Sequence, residues 1–333
     1  MDLGISYGLP IMRIMDYWER GITGEGVKVL VIDSGSSPHR DLVIHGGDGQ
    51  NAAGEKLDPL VDYYGHGTHV AGIIGAKPNI NRSFAGIAPG CQLFNGKYVS
   101  GSMKDLLAGV VYALEYGADN DFDLINMSLD ISEALIMKYP QYEGPLIRAL
   151  ERVKETKAIM VCSAGNVSDG TTDYLDRNAF VQRYADFVVG NMGYNKKPSS
   201  TSSMGSLVNC AGFGTQVWST IMIENGTSNL YGLLSGTSMA APQVTGILAL
   251  YKELFPTLSK TELIEKAMEN TVPLPDVSPF VQGKGIIMPP SELYSRPVSV
   301  SVPETFLRVP YGWESCTLKI PSETGYVDGE VVV

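Results

Sequence analysis

The sequence predicts an α/β fold with a mostly parallel central sheet and helices on both of its faces. Two observations carry this reading. Short apolar, β-branched runs alternate with longer helix-like segments through most of the chain, the pattern of parallel strands joined by crossover helices. Polar residues with chemical potential close several of these runs, as Asp33, Ser128 and Asn166 do. In such sheets functional groups collect at the carboxyl ends of the strands.

Taken in order, "VKVLVID" (27–33) reads as a buried strand ending in a carboxylate, and "THVAGIIGA" (68–76) as a closely packed helix of small residues. "LFNGKYV" (93–99) reads as a strand and "MKDLLAGVVYALEYGA" (103–118) as an amphipathic helix. "FDLINMSL" (122–129) is the next strand and "GPLIRALERVKETK" (144–157) the next helix. "AIMVCSAGN" (158–166) is a strand closing in a Gly-Asn turn; "ADFVVGN", "LVNCAGFG" and a helix over about 239–254 complete the series. From about residue 296 the texture changes to strand alternation with several prolines and no helical period. The division is therefore a main domain over 1–295 and a β-rich extension over 296–333. The extension is too short for an independent core. Its "VSVSV" and "GEVVV" would leave strand edges open, so it is expected to pack on the main domain or on a second copy of the chain, a homo-oligomer.

A hydrophobic content of 44% and a charged content of 18% describe a well-filled globular chain. The net charge of −11 argues against nucleic acid and against an anionic membrane surface as partners. No apolar run approaches the ~18 residues of a membrane span. The opening "MDLGISYGLPIMRIMDYWERG" has no basic region followed by an apolar one, so it is not a secretory leader. The expected location is cytoplasmic, although a secreted enzyme trimmed of its leader would look the same. Cys91, Cys162, Cys210 and Cys316 show no metal-binding spacing and read as reduced thiols.

Three pieces carry chemistry. "VLVIDSG" ends a strand in Asp33, which could simply cap a turn. "YGHGTHVAG" sets His66 between two glycines with His69 three residues on. The pair lacks the glutamate of a metalloprotease helix and has no evident third ligand, whereas an imidazole exposed at a helix start suits a general base. His39 and His45 lie in a polar loop and read as solvated surface residues. "LSGTSMAAPQVTG" puts Ser238 at a glycine turn before a run of small residues, with Pro242 expected in the opening turn. Ser238 is either an N-cap or a nucleophile near backbone donors.

Together, in the order Asp, His, Ser, these pieces resemble the subtilisin-like serine proteases, the subtilases of peptidase family S8, and in style the intracellular subtilisins. "VIDSG", "HGTHVAG", "INMSL", "SAGN" and "SGTSMAAPQVTG" follow that family's order over roughly residues 5–293. The resemblance implies a subtilisin-like fold and peptide-bond hydrolysis through an acyl-enzyme. Asp33, His66 and Ser238 would form the triad, in the chain order of subtilisin, and Asn166 would be an oxyanion donor. A peptide or protein substrate would lie between Val99, Ser100 and Gly101 on one side and Ser128, Leu129 and Asp130 on the other. Ser163, Ala164 and Gly165 would form a wall of the S1 pocket.

No cofactor is implied for the chemistry. Of the structural calcium found in many subtilases, Asp41 matches one ligand position. Leu3 stands where a glutamine is common, and "KPNINRSFAG" matches the calcium loop loosely, so no metal ligand set is assigned. Asp130 replaces a usual glycine; its carboxylate would draw a Lys or Arg of the substrate if it faces the cleft, and do nothing if it faces solvent. The segment after Asn166 is also unusual and brings Asp169, Asp173 and Asp176. Tyr7-Gly8 stands as far before Asp33 as in mature secreted subtilisins, so no inhibitory propeptide is expected within the chain. A site-specific processing protease and a peptide-binding pseudoprotease are the competing readings.

Overall fold

The computed structural model describes residues 8–78, 84–98, 102–166, 171–221, 230–290, 315–322 and 325–332. The strands are β1 (Lys28–Asp33), β2 (Ile44–Gly49), β3 (Gln92–Lys97), β4 (Leu124–Met127), β5 (Ile159–Ser163), β6 (Phe187–Met192) and β7 (Cys210–Phe213). They continue with β8 (Val217–Ile221), β9 (Leu230–Leu234), β10 (Thr271–Val272), β11 (Ile286–Ile287), β12 (Ser315–Ser322) and β13 (Gly325–Val332). Nine of them make one sheet in the order β10-β11-β7-β6-β5-β4-β1-β3-β2. Its pairings are parallel apart from β10 with β11.

A parallel strand covered on both faces has no reason to alternate polar and apolar residues, and β1 is buried from Val29 to Asp33. Its side chains still divide by face. Val29 and Val31 enter one core with the helices His66–Gly75 and Thr237–Leu254, while Leu30 and Ile32 enter another with Met103–Asp119 and Glu143–Glu155. The expected fold, with helices on both faces, is therefore the one observed. Small residues let the first two helices sit deep. A Cβ added to Gly72 would lie 2.1 Å from Thr220 Oγ1, which accounts for the small-residue run read there as close packing.

From β1 the chain goes out to the edge strand β2, returns to β3 beside β1, and then crosses to β4 on the other side of β1. This reversal places a switch point at the carboxyl ends of β1, β3 and β4, where ligands of open α/β sheets bind.

Some local expectations are corrected. The late helix begins at Thr237 rather than near 239. Pro242 consequently lies in its second turn, not its first. β2, "IHGGDG", carries no apolar period and was not expected; β8 and β9 pair antiparallel as a separate hairpin. In the extension, β12 and β13 pair antiparallel with each other, Ser315 opposite Val332 and Ser322 opposite Gly325; "VSVSV" lies outside the described residues. Among the described residues no helix is long and apolar enough to cross a membrane.

Candidate active site

Asp33 ends β1 with 1% of its surface exposed. The backbone N–H of Ser34 donates to its Oδ1 at 2.7 Å. His66, the first residue of its helix, places Nδ1 2.8 Å from Asp33 Oδ1 and 3.0 Å from Oδ2. The Asp33 carboxylate raises the His66 pKa above its ordinary value, against the opposing cost of burying a charged ring. With Nδ1–H donated to the carboxylate, Nε2 is left as the basic nitrogen.

A residue missed by sequence reasoning holds this pair in place. Asp62 is fully buried. Its Oδ1 accepts from Ser34 Oγ and from the backbone N–H groups of Tyr64 and Gly65, each at 2.9 Å. Its Oδ2 accepts from Thr68 N at 2.9 Å and Thr68 Oγ1 at 2.6 Å. One carboxylate thus ties the residue after Asp33 to the turn that carries His66. The available signal was an Asp four residues before a helix start, one of the residue types that satisfy helix N-termini.

Ser238 occupies the second position of the Thr237–Leu254 helix. Its hydroxyl donates to Ser128 O at 3.2 Å, and Ser128 Oγ donates back to Ser238 O at 2.9 Å. Pro242 explains the second bond. Proline has no N–H for the carbonyl four residues earlier, so Ser238 O is released from the helical ladder and takes Ser128 instead. Ser238 Oγ makes no hydrogen bond to His66, a contact that free enzymes often leave long and close only with substrate bound.

Asn166 follows β5 and is exposed. Its Oδ1 accepts from Thr237 N at 2.9 Å and Thr237 Oγ1 at 3.2 Å. Those donors fix which end of the amide is oxygen, leaving Nδ2 as a free donor beside the first turn of the Ser238 helix.

Of the expected substrate-contacting residues, Val99, Ser100 and Gly101 lie outside the described residues, as do Leu3 and Asp169. Ser128 and Leu129 are buried and Asp130 exposed. Two side chains hold the segment that follows β4: Ser163 Oγ, at the end of β5, donates to Leu129 O at 3.2 Å, and Gln182 Nε2, from the short 3₁₀ turn Val181–Tyr184, donates to Asp130 Oδ1 at 3.0 Å. Ala164 turns its methyl into a small cluster with Leu175, Ala179, Val188 and Val208, so only its backbone remains for a substrate. Asp173 pairs with Arg177 at 2.8 Å, and Asp176 accepts from Ser206 N and Oγ.

His39 is a correction. It is buried, its Nδ1 accepts from Asp41 N at 3.1 Å, and its ring meets Tyr231 edge-on; aromatic cover outweighed the polar sequence around it. His45 is exposed as expected. His69 is buried with Nε2 donating between Val217 O and Gly232 O, both at 3.0 Å, and burial lowers its pKa to about 4. It is a neutral structural residue, spent on the β8–β9 hairpin.

At the calcium position only Asp41 and the ends of the 77–86 loop lie among the described residues, and the Asp41 carboxylate suits a cation poorly. Asp41 Oδ2 accepts the Tyr231 hydroxyl, and the Arg40 guanidinium lies 3.7 Å from it. A cation would have to displace a donor and sit beside a like charge. Among the described residues, no group of three or more His, Cys, Asp or Glu could hold a metal. Cys91, Cys162 and Cys210 are buried free thiols, and the Cys316 side chain is outside what is described.

Fold and geometry define a class: an α/β protein whose switch point gathers a carboxylate-paired histidine, a helix-start serine and a fixed amide donor. Residues 24–285 match the Subtilase family, peptidase S8, and the chain belongs to this family of serine proteases. It is 32% identical over 285 residues to Subtilisin DY of Bacillus licheniformis, covering 85% of this chain and 96% of that one. It is 31% identical over 303 residues to the Major intracellular serine protease of Bacillus subtilis (strain 168), covering 86% and 89%. In fold it is similar to MycP1 from the ESX-1 type VII secretion system, with a TM-score of 0.71, 22% identity, and coverage of 90% of this chain and 88% of that one.

Proposed function

We propose that this subtilase is an active serine endopeptidase in which Ser238 is the nucleophile, His66 the general base and acid, Asp33 its orienting carboxylate and Asn166 an oxyanion donor. The observation that carries the reading is the Asp33–His66 pair at 2.8 Å, at the switch point that also holds Ser238. A serine hydroxyl is inert near neutral pH without a base. His66 Nε2 takes its proton as Oγ attacks the peptide carbonyl, and Asp33 stabilises the imidazolium formed. The carbonyl oxygen becomes an anion, met by Asn166 Nδ2 and by the Ser238 N–H, one of the first-turn amides that a helix leaves unpaired. His66 then passes the proton to the leaving amine. Water, deprotonated by the same imidazole, releases the acyl group.

The substrate is an extended peptide, paired by β-augmentation with Val99–Gly101 and Ser128–Asp130. Residues 1–295 form the peptidase unit and 296–333 an extension that contributes no catalytic group. An intracellular site of action is part of the proposal, supported by the likeness to an intracellular protease and by buried, unpaired thiols.

The test is labelling with a serine-directed fluorophosphonate, mapped by peptide mass spectrometry, beside turnover of a diverse peptide library. Modification of Ser238, lost in Ser238→Ala, together with cleavage, is expected. Absence of both would leave a peptide-binding pseudoprotease. A narrower reading, a site-specific processing protease, is favoured by Asp130; clustering of the library cleavages on a few motifs would distinguish it.

A further inference from the structure

The wall of the cleft next to Asn166 contains polar groups that the hydrolytic machinery does not use. Asp130 stands two residues beyond Ser128, whose carbonyl receives the Ser238 hydroxyl. Its Oδ1 is held by Gln182 Nε2, which also reaches Ser163 O at 3.3 Å. Its Oδ2 lies against Gly165: a Cβ built there would come within 3.1 Å of Asp130 Oδ2 and 3.2 Å of Ser203 Oγ. Gly165 has φ +90°, a conformation that keeps side chains out. No side chain therefore intervenes between the carboxylate and the backbone just before Asn166.

Two further atoms, on side chains next to this wall, have no partner. Gln182 and Ser203 are 1% and 2% exposed, yet Gln182 Oε1 and Ser203 Oγ make no hydrogen bond. A buried unpaired polar atom needs a reason. Both belong to side chains that already touch the Asp130–Gly165 wall. Three of the four side-chain polar atoms in question, both Asp130 oxygens and Gln182 Oε1, only accept. Among the described residues no Lys or Arg forms an ion pair with Asp130. Burial also raises the Asp130 pKa, with the Gln182 hydrogen bond acting against it.

We infer that Asp130, held by Gln182 beside the Ser163–Gly165 wall, makes the S1 pocket a receptor for a cationic side chain, so that the protease cleaves after Lys or Arg. The inference rests on the proposed peptidase function of the same site. An ammonium or guanidinium gives the Asp130 carboxylate the counter-charge it lacks. An apolar P1 side chain supplies no counter-charge and dehydrates the carboxylate as well. Asp130 acts as a specificity-determining residue and takes no part in the proton transfers.

The experiment is kcat/KM of the full chain on matched peptides that differ only at P1, with Lys, Arg, Leu or Phe, for wild type and Asp130→Asn. Asparagine keeps the acceptor for Gln182 Nε2 and removes the charge. Wild type should favour Lys and Arg over Leu and Phe by about tenfold or more, and the variant should lose most of that ratio. A wild-type preference for Leu or Phe overturns the inference whatever the variant does, and so does an unchanged ratio in a folded variant. Fluorophosphonate labelling of wild-type Ser238 separates the two levels: labelled enzyme without basic preference refutes only the specificity, whereas failure of labelling and of all cleavage refutes the peptidase reading.

Discussion

Replacing Asp62 by Ala tests whether one buried carboxylate positions the catalytic pair. Five donors lose their acceptor: Ser34 Oγ, Tyr64 N, Gly65 N, Thr68 N and Thr68 Oγ1. The Tyr64 and Gly65 amides are only partly buried and can turn to water at small cost. Thr68 N is buried in the first turn of the His66 helix, and an unsatisfied donor of this kind costs about 1–3 kcal/mol. The two buried hydroxyls each forfeit about 1 kcal/mol. The sum is about 3–5 kcal/mol, or roughly 10 °C in Tm for a domain of this size. Because the same bonds connect the residue after Asp33 to the turn before His66, kcat should fall with little change in KM. Asp62→Asn keeps one acceptor oxygen and should recover part of both losses. Thermal melting and steady-state kinetics on one peptide provide the readouts. An Asp62→Ala protein melting within 1–2 °C of wild type and turning over normally would refute the positioning argument.

Asn166→Ala should lower kcat by about 100- to 1,000-fold, ~3 kcal/mol, with KM nearly unchanged, the size of loss known for this donor in a subtilisin; an equal loss in KM would place the amide in ground-state binding. The acid limb of kcat/KM should lie above pH 6.5, because Asp33 raises the His66 pKa and only neutral His66 accepts the proton. The protonated pair acts oppositely on stability: its contribution is complete below pH 6.5 and disappears as pH rises through the raised value, which a melting series in that window would detect. Chelation with EDTA should leave Tm within about 1 °C, since Tyr231 and Arg40 already engage Asp41; a clear rise in Tm on adding Ca²⁺ would contradict this. A chain ending after Tyr294 should retain peptidase activity and lose Tm or a dimer, measured by melting and size exclusion; unchanged behaviour would make the extension a mere linker.

The catalytic candidates were legible because each falls where a periodic segment stops. Asp33 closes an apolar run, Asn166 follows "VCSAG", His66 follows Gly65, and Ser238 follows Gly236-Thr237, the last two at the start of small-residue helices. The supporting residues were not legible, for physical reasons. Asp62 and Gln182 look like surface polar residues in sequence, and only the fold brings Thr68 to the one and Asp130 to the other. Pro242 lies in the second turn of its helix rather than the first, and there it frees a helical carbonyl for Ser128. β2 lacks any apolar period because it is a glycine-rich edge strand. The burial of His39 is not legible in its polar loop because Tyr231, distant in sequence, covers it.

The most direct test of the central claim is to trap the acyl-enzyme. The full chain would be mixed with an activated ester substrate, quenched in acid within the burst and digested for mass spectrometry. Formation of the acyl group requires the Ser238 hydroxyl, a base to take its proton and donors for the oxyanion, so a single adduct reports on all of them. The account predicts a stoichiometric burst with the acyl mass on the peptide containing Ser238, absent in Ser238→Ala and strongly slowed in His66→Ala. A burst that persists in Ser238→Ala, or an adduct on another residue, would contradict it.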